Sequence, residues 1–396
     1  MTTLTTLRQF VSRAHRTPAG HKPEAGRTLA VRPAADAPNR ISASIAMPDG
    51  RSLTAATEAN VSLDHSSTPW LSATLPAAMR WGCDLTIDGA VDAESLASAS
   101  RAGAMIAEWF PRHFASVQVS ADASAPAQQR SDGVGCFFSG GVDSFYAALE
   151  EVDRITHLIF VLGFDIRVDD DALASKALDA AREAAAELGK PLIEVRTTIR
   201  SSIGDVAGLP WGHVYHGPAL AHVATALAPH VGTVIIPSTI SRAGLEPWGS
   251  HPHLDPLWSS SAVTIEHSEF GVGRAGKTRR ISSSPIAMKH LRVCWENRDG
   301  AFNCGRCPKC VRTHASLTIC GAECATLPGP VDPDDIRHMF ARMGDRLFLR
   351  DVLGDMHAHD VDMPDIESAI RHAIRKSYVL QYFTPSSLVN RPAPTE

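Results

Sequence analysis

Between Cys136 and Tyr146 the chain reads Cys-Phe-Phe-Ser-Gly-Gly-Val-Asp-Ser-Phe-Tyr. An apolar run that ends in Ser139-Gly140-Gly141-Val142-Asp143-Ser144 and opens into a helical pattern presents several backbone N–H groups and a helix N-terminus to one point, which suits phosphate oxygens. The two glycines permit a tight turn and remove side chains from the approach. Ser139 and Ser144 add hydroxyl donors. Asp143 cannot serve an anion directly, so its expected task is to hold the loop or to bind the Mg²⁺ that accompanies a nucleotide. The bland alternative is an ordinary turn followed by an Asp-Ser helix cap. A Walker loop is excluded because no Gly-Lys-Ser/Thr ending follows, and a dinucleotide fingerprint because Gly-x-Gly-x-x-Gly is missing after Phe138.

The second cluster is Cys294, nine residues, then Cys304-Gly305-Arg306-Cys307-Pro308-Lys309-Cys310. Two overlapping C-x-x-C steps with an upstream cysteine give four thiolates at the spacing of a tetrahedral zinc site. Four thiolates close the coordination shell, so the expected Zn²⁺ is structural. An iron–sulfur cluster is the competitor. Zinc is preferred because the fourth ligand lies upstream and no Cys-Pro run closes the set.

These groups need elements to hold them. Residues 1–40 lack sustained periodicity and read as an irregular lead-in. Ile41–Ala46 and Leu53–Val61 read as a strand pair around Pro48-Asp49-Gly50, Asp84–Ile87 and Val117–Val119 as further strands, and Glu94–Phe110 as a helix. From Gly133 strands alternate with helices: Gly133–Phe138, helix Ser144–Glu151, Ile155–Gly163, helix Asp171–Leu188, Leu192–Thr197, helix Tyr215–Leu227, Val231–Pro237. That texture predicts an α/β fold with a parallel, Rossmann-like sheet covered on both faces. The expected division is residues 1–132, a small mixed α/β domain ending in an Asp122–Asp132 linker; 133–325, the phosphate-binding domain with the four-cysteine zinc knuckle; and 326–396, a helical extension starting at Asp332-Pro333. Ligands of such sheets sit at the carboxyl ends of strands. Phe164 and Asp165, after one strand, and Ser238, after another, are therefore candidates for adenine and ribose.

At Ser139–Ser144 the chain resembles the pyrophosphatase-loop, or adenine nucleotide alpha hydrolase-like, superfamily, whose Ser-Gly-Gly-x-Asp-Ser signature is matched in full. The resemblance implies cleavage of ATP between its α- and β-phosphates, with Phe138 to Ser144 gripping the nucleotide and Ser139, Asp143 and Ser144 acting on the departing pyrophosphate. The loop followed by Cys294, Cys304, Cys307 and Cys310 further resembles the zinc-binding 7-cyano-7-deazaguanine synthases. It implies that Lys277, in Gly276-Lys277-Thr278 ahead of a helix, steadies the phosphates, and places Arg312 where that family has a basic residue. The resemblance spans about residues 133–320. The segment Arg242–Ser261, with Trp248, His251, His253, Asp255 and Trp258, is extra to it.

The implied activity is an ATP-dependent C–N ligase that forms AMP and pyrophosphate. A small-molecule carboxylate becomes an acyl-adenylate, and ammonia or an amine displaces AMP to give an amide or, after a second activation, a nitrile. The chain begins Met1-Thr2, without the N-terminal cysteine by which some amidotransferases release ammonia. One alternative is sulfur insertion into a nucleotide or RNA, with Cys320 or Cys324 carrying a persulfide. Another is conjugation of a deazapurine-like base to a protein partner. His213, His216 and His222 read as packed rather than metal-binding histidines.

Lys and Arg number 38 against 43 Asp and Glu, a net charge of −5, so no global positive field draws the chain to nucleic acid or to a membrane. Eight cysteines, four of them within residues 294–310, fit a reducing compartment, and the expected location is cytoplasmic. Arg8, Arg13 and His15 suggest a frayed terminus rather than a transit peptide, no secretory segment follows Met1, and no apolar run approaches membrane-spanning length. Association into a homodimer is left open.

Overall fold

In the computed structural model, residues 27–383 are described, except 128 and 342; the Arg8–His15 reading lies outside them. Ten strands form one mixed, mostly parallel sheet in the order β10-β9-β6-β7-β8-β3-β2-β1-β4-β5. β1 (Thr28–Ala37), β2 (Arg40–Ala46) and β3 (Ser52–Ala59) are an antiparallel meander, and β4 (Asp84–Asp92) and β5 (Val119–Ala125) run parallel to β1. Helix α1 (Thr68–Trp81) is buried on nearly every side, which fits its run of Ala, Leu, Trp and Met. Helix α2 (Ala93–Trp109) is capped by Asp92, whose carboxylate accepts from the Ser95 N–H at 2.9 Å.

The other half is a parallel unit: β6 (Val134–Phe137), α3 (Val142–Glu150), β7 (His157–Leu162), α4 (Asp171–Glu187), β8 (Leu192–Thr197), α5 (His216–Ala226), β9 (Thr233–Ile236) and β10 (Thr264–His267). The chain leaves β6 toward β7 and β8, then returns to add β9 and β10 on the opposite side. Strand order therefore reverses between β6 and β9. In open α/β sheets the crevice at such a reversal, at the carboxyl ends of the strands, is where ligands bind.

The sheet crosses the expected 132/133 boundary through an antiparallel pairing of β3 with β8, Thr57 opposite Thr197. His222 of α5 locks this seam, with Nε2 2.8 Å from Thr57 Oγ1 and Nδ1 2.8 Å from the Pro69 carbonyl.

Three expectations are corrected. The lead-in contains β1, which pairs on both sides although Pro33 and four alanines hide its alternation. β4 continues past Asp88-Gly89 through a bulge, with the Gly89 N–H bonded to Asp122 at 2.7 Å. β5 occupies part of the supposed linker. The remaining helices are α6 (Arg274–Ser282), α7 (Pro285–His290), α8 (Pro308–Ile319), α9 (Pro333–His338), α10 (Met343–Ala358) and α11 (Pro364–Phe383). Asp332 caps α9 ahead of Pro333 as expected, its carboxylate 2.8 Å from the Asp334 N–H.

Candidate phosphate site and cysteine centre

The β6–α3 turn lies on the strand-order reversal. Gly140 takes φ +73°, a left-handed conformation that a side chain strains, and its carbonyl accepts from the Arg292 N–H at 2.8 Å. Gly141 starts α3 with no side-chain cap, which leaves the first helical N–H groups facing outward. Ser139 is exposed beside them, and Ser144 is buried with its hydroxyl donating to the Gly141 carbonyl at 3.0 Å. Phe138 and Val142 are core residues; Phe138 meets Phe145 edge to face at 4.9 Å, so both can serve the site only through backbone.

Cations from two other segments, α6 and α8, gather around Asp143. Arg274 Nη1 lies 2.5 Å from Asp143 Oδ2, and Lys277 Nζ lies 3.9 Å from Oδ1. Lys277 stands within α6 rather than ahead of a helix, and only 1% of it is exposed. Its ammonium donates to the Ser238 carbonyl at 2.5 Å and lies 5.4 Å over the Tyr146 ring. Burial holds the Lys277 pKa below the ordinary lysine value, opposed by Asp143. Arg312, on α8, pairs with Asp345 of α10 at 2.5 Å and stacks on Phe348 at 4.1 Å; burial, with the Arg274 charge alongside, pulls its pKa down to about 10. Lys309, half-buried, is depressed by burial too, with Arg274 and Arg312 opposing its charge.

These cations are under-partnered. Among the described residues, Nε of Arg274, Arg292 and Arg312 is buried without a hydrogen bond, and so is Asp143 Oδ1. Each guanidinium has a partner through its Nη atoms, so the unused groups are single donors, each costing on the order of 1–3 kcal/mol when buried. Convergent arginines with unused donors fit a polyphosphate, and the orphaned Asp143 oxygen fits the Mg²⁺ that would accompany it.

The other nucleotide candidates are less directly placed. Asp165 is exposed and pairs with Arg200 at 3.8 Å, and Phe164 packs on Trp211 at 5.0 Å. Ser238 is fully buried: its N–H donates to Ser268 Oγ, its hydroxyl to the Ile240 carbonyl, and its carbonyl accepts from Lys277. Ser238 therefore positions Lys277 rather than offering a free hydroxyl. Arg292 is the residue that sequence reasoning missed; Arg274 is legible only as part of the acid-free basic run Arg274–Arg280.

The four cysteines come together. Their Sγ atoms lie within 4.8 Å of one another, and Cys294 Sγ is 3.9 Å from Cys307 Sγ. Four sulfurs at the usual Zn–S length of about 2.3 Å would be about 3.8 Å apart, so the cluster could hold a metal such as zinc. Backbone N–H groups of Asn297, Cys307 and Cys310 point at Cys294, Cys304 and Cys307 sulfurs at 3.3, 3.3 and 3.4 Å, an arrangement that favours thiolates. Asn303, not singled out from sequence, accepts from the Val293 and Cys294 N–H groups and donates to the Leu291 carbonyl at 2.9 Å. Burial pushes the Cys320 thiol above its ordinary pKa, the reverse of what a sulfur carrier needs.

No family model, curated protein or solved structure matches the chain. Function must therefore be argued from the site. The histidines read as packed behave so: His213 stacks on Trp248 at 4.7 Å and His216 at 5.9 Å, and His222 is fully buried. Among the described residues no helix is long and apolar enough to cross a membrane.

Proposed function

We propose that this chain is an ATP-dependent, AMP- and pyrophosphate-forming C–N ligase of the pyrophosphatase-loop superfamily, with a Rossmann-like nucleotide-binding unit. The observation that carries it is the convergence of Lys277 and of Arg274, Arg292 and Arg312, each arginine with an unused buried Nε donor, on an uncapped Ser-Gly-Gly-x-Asp-Ser turn at the strand-order reversal. Uncommitted N–H groups and cations placed where charge develops on a leaving pyrophosphate lower the barrier without reorganising. Substrates are ATP, a small carboxylate, and ammonia or an amine. The carboxylate attacks the α-phosphate, and nitrogen then displaces AMP to yield the amide, or a nitrile after a second activation.

In this reading the loop N–H groups and Ser139 bind phosphate oxygens, Lys277 is held on target by Ser238, and Arg274 and Arg312 offset charge on the leaving group. Mg²⁺, for which Asp143 is the available ligand, would supply further neutralisation of the phosphates. Zn²⁺ on the four cysteines would be structural, because no ligand position is left for water.

The test incubates the full chain with ATP, Mg²⁺, ammonium and a panel of carboxylic acids and follows phosphorus species by NMR. AMP and pyrophosphate that depend on an acid are expected. ADP and phosphate, or ATP left unchanged with every acid, would refute the reading.

A further inference from the structure

The segment between β9 and β10 places a second set of reactive groups on the same sheet edge. Asp255 opens a short 3₁₀ turn (Asp255–Trp258) and is fully buried. Its Oδ2 accepts from Ser250 Oγ at 2.7 Å and lies 2.7 Å from His267 Nδ1, and its Oδ1 accepts from the His251 N–H at 3.2 Å. Three donors thus converge on one carboxylate. A carboxylate that accepts from Nδ1 fixes the imidazole tautomer and leaves the Nε2 lone pair available. Among the described residues no hydrogen bond engages His267 Nε2. Ser250 is not a nucleophile activated by this imidazole, since its proton goes to Asp255.

The pair lies at the carboxyl end of β10, two strands from the β6–α3 turn. His267 ends β10 opposite Ile236 of β9. The next residue, Ser268, accepts from the Ser238 N–H at 2.8 Å, and the Ser238 carbonyl holds Lys277. The groups facing the pair are histidines: His251, with His253 beside it, and His216, all close enough to interact with it or with one another electrostatically. Burial holds His216 below its ordinary pKa and His251 down to about 4.

We propose that His267, oriented by Asp255, is the base for the nitrogen nucleophile of the second half-reaction; the proposal rests on the ligase reading. The nitrogen lone pair forms the C–N bond at the acyl-adenylate carbonyl carbon. One N–H proton passes to His267 Nε2, and the C–O bond to AMP breaks with its electron pair on the departing phosphate oxygen. His267 is then the catalytic residue and Asp255 its positioning residue. Ammonia attacks as the free base, so the single proton to be removed is the one the nitrogen carries in excess once the C–N bond has formed, and His267 Nε2 takes it.

Two measurements on the full chain decide it. Long-range ¹H–¹⁵N spectra, with His267→Gln to assign the ring, should show the Nδ1–H tautomer for His267; an Nε2–H tautomer overturns the proposal whatever the turnover. Next, with an acid that supports AMP formation, His267→Gln and Asp255→Asn should keep ATP–pyrophosphate exchange within about twofold and lose amide formation by about 10²–10⁴. Hydroxylamine should still trap the acyl-adenylate of His267→Gln as a hydroxamate, which shows that the first half-reaction survives in the variant. Unchanged amide formation in the variants, or loss of exchange together with amide, overturns the proposal but leaves the ligase reading standing. A wild-type chain that makes no AMP refutes both.

Discussion

His222 offers a quantitative test of the seam that joins the two halves of the sheet. Its ring is fully buried, bonded to Thr57 and to the Pro69 carbonyl and packed on Trp70 at 4.8 Å. Burial lowers its pKa from 6.5 to about 4, partly opposed by the bond to Pro69. The sign follows directly: between those values the unfolded chain binds a proton that the folded chain refuses. Stability from this group is therefore complete above the unfolded pKa and is lost as pH falls toward the folded one. Lowering pH from 7 to 5 should cost about 2 kcal/mol through this residue alone. Urea denaturation of wild type and His222→Gln at both pH values measures it. Other histidines, His213 and His251 among them, titrate in both proteins and cancel in the difference. The variant should lose about 2 kcal/mol less than wild type over the interval, even though removing a buried hydrogen-bonded ring costs it about 1–3 kcal/mol at pH 7. Equal losses in the two proteins would refute the claim that this ring is held neutral across the seam.

Metal analysis of the purified chain should find about one zinc, lost in Cys307→Ser; iron with visible absorbance would instead indicate a cluster. Gly140→Ala should cost about 1–2 kcal/mol of stability and weaken pyrophosphate binding by calorimetry, whereas Gly189→Ala, also left-handed at φ +68° but facing open space, should leave binding intact. Lys277→Met should remain folded, because the side chain is buried along an apolar ring, yet lower AMP formation by about 10²–10³. Removing the metal with a chelator should lower pyrophosphate affinity in a titration without ATP; unchanged affinity would separate the cysteine centre from the phosphate site.

What could be read from the sequence was what is contiguous. The β6–α3 turn and the cysteine spacing each lie within a short stretch, so residue type and interval carry the information. The parallel unit was legible because β7 is a near-continuous apolar run ended by Gly163, the Ala-rich α4 follows, and β8 alternates, with Ile193 and Val195 buried. β1 was not, since four of its ten residues are exposed and Pro33 interrupts its pattern. The β3–β8 pairing joins residues about 140 apart, which no local period reveals. The same holds for the cations around the turn: Arg274 and Arg312 beside Asp143 and Arg292 beside Gly140 come from segments that neither resemble one another nor sit near the loop in sequence.

The two motifs are mechanically linked, which explains why the chain carries both. Helix α8 begins between Cys307 and Cys310, with the Cys307 sulfur accepting from the Cys310 N–H, and two turns of it carry Lys309 and Arg312 toward Asp143. On the other side of the loop, Arg292 binds the Gly140 carbonyl just before Cys294, whose N–H is tied by Asn303. The cysteine centre thus anchors both chain segments that approach the Gly-Gly turn. Holding several cations against their mutual repulsion in a buried space costs energy in the absence of an anion, and a closed four-thiolate site can bear that cost without taking part in chemistry. The tail contributes on the same terms: Asp345 pairs with Arg312, and Asp351 accepts from the Ala275 N–H at 2.7 Å, fixing the first turn of the helix that carries Lys277. The Gly-Gly turn is therefore one wall of a candidate site whose other walls are set by the cysteine centre and the C-terminal helices.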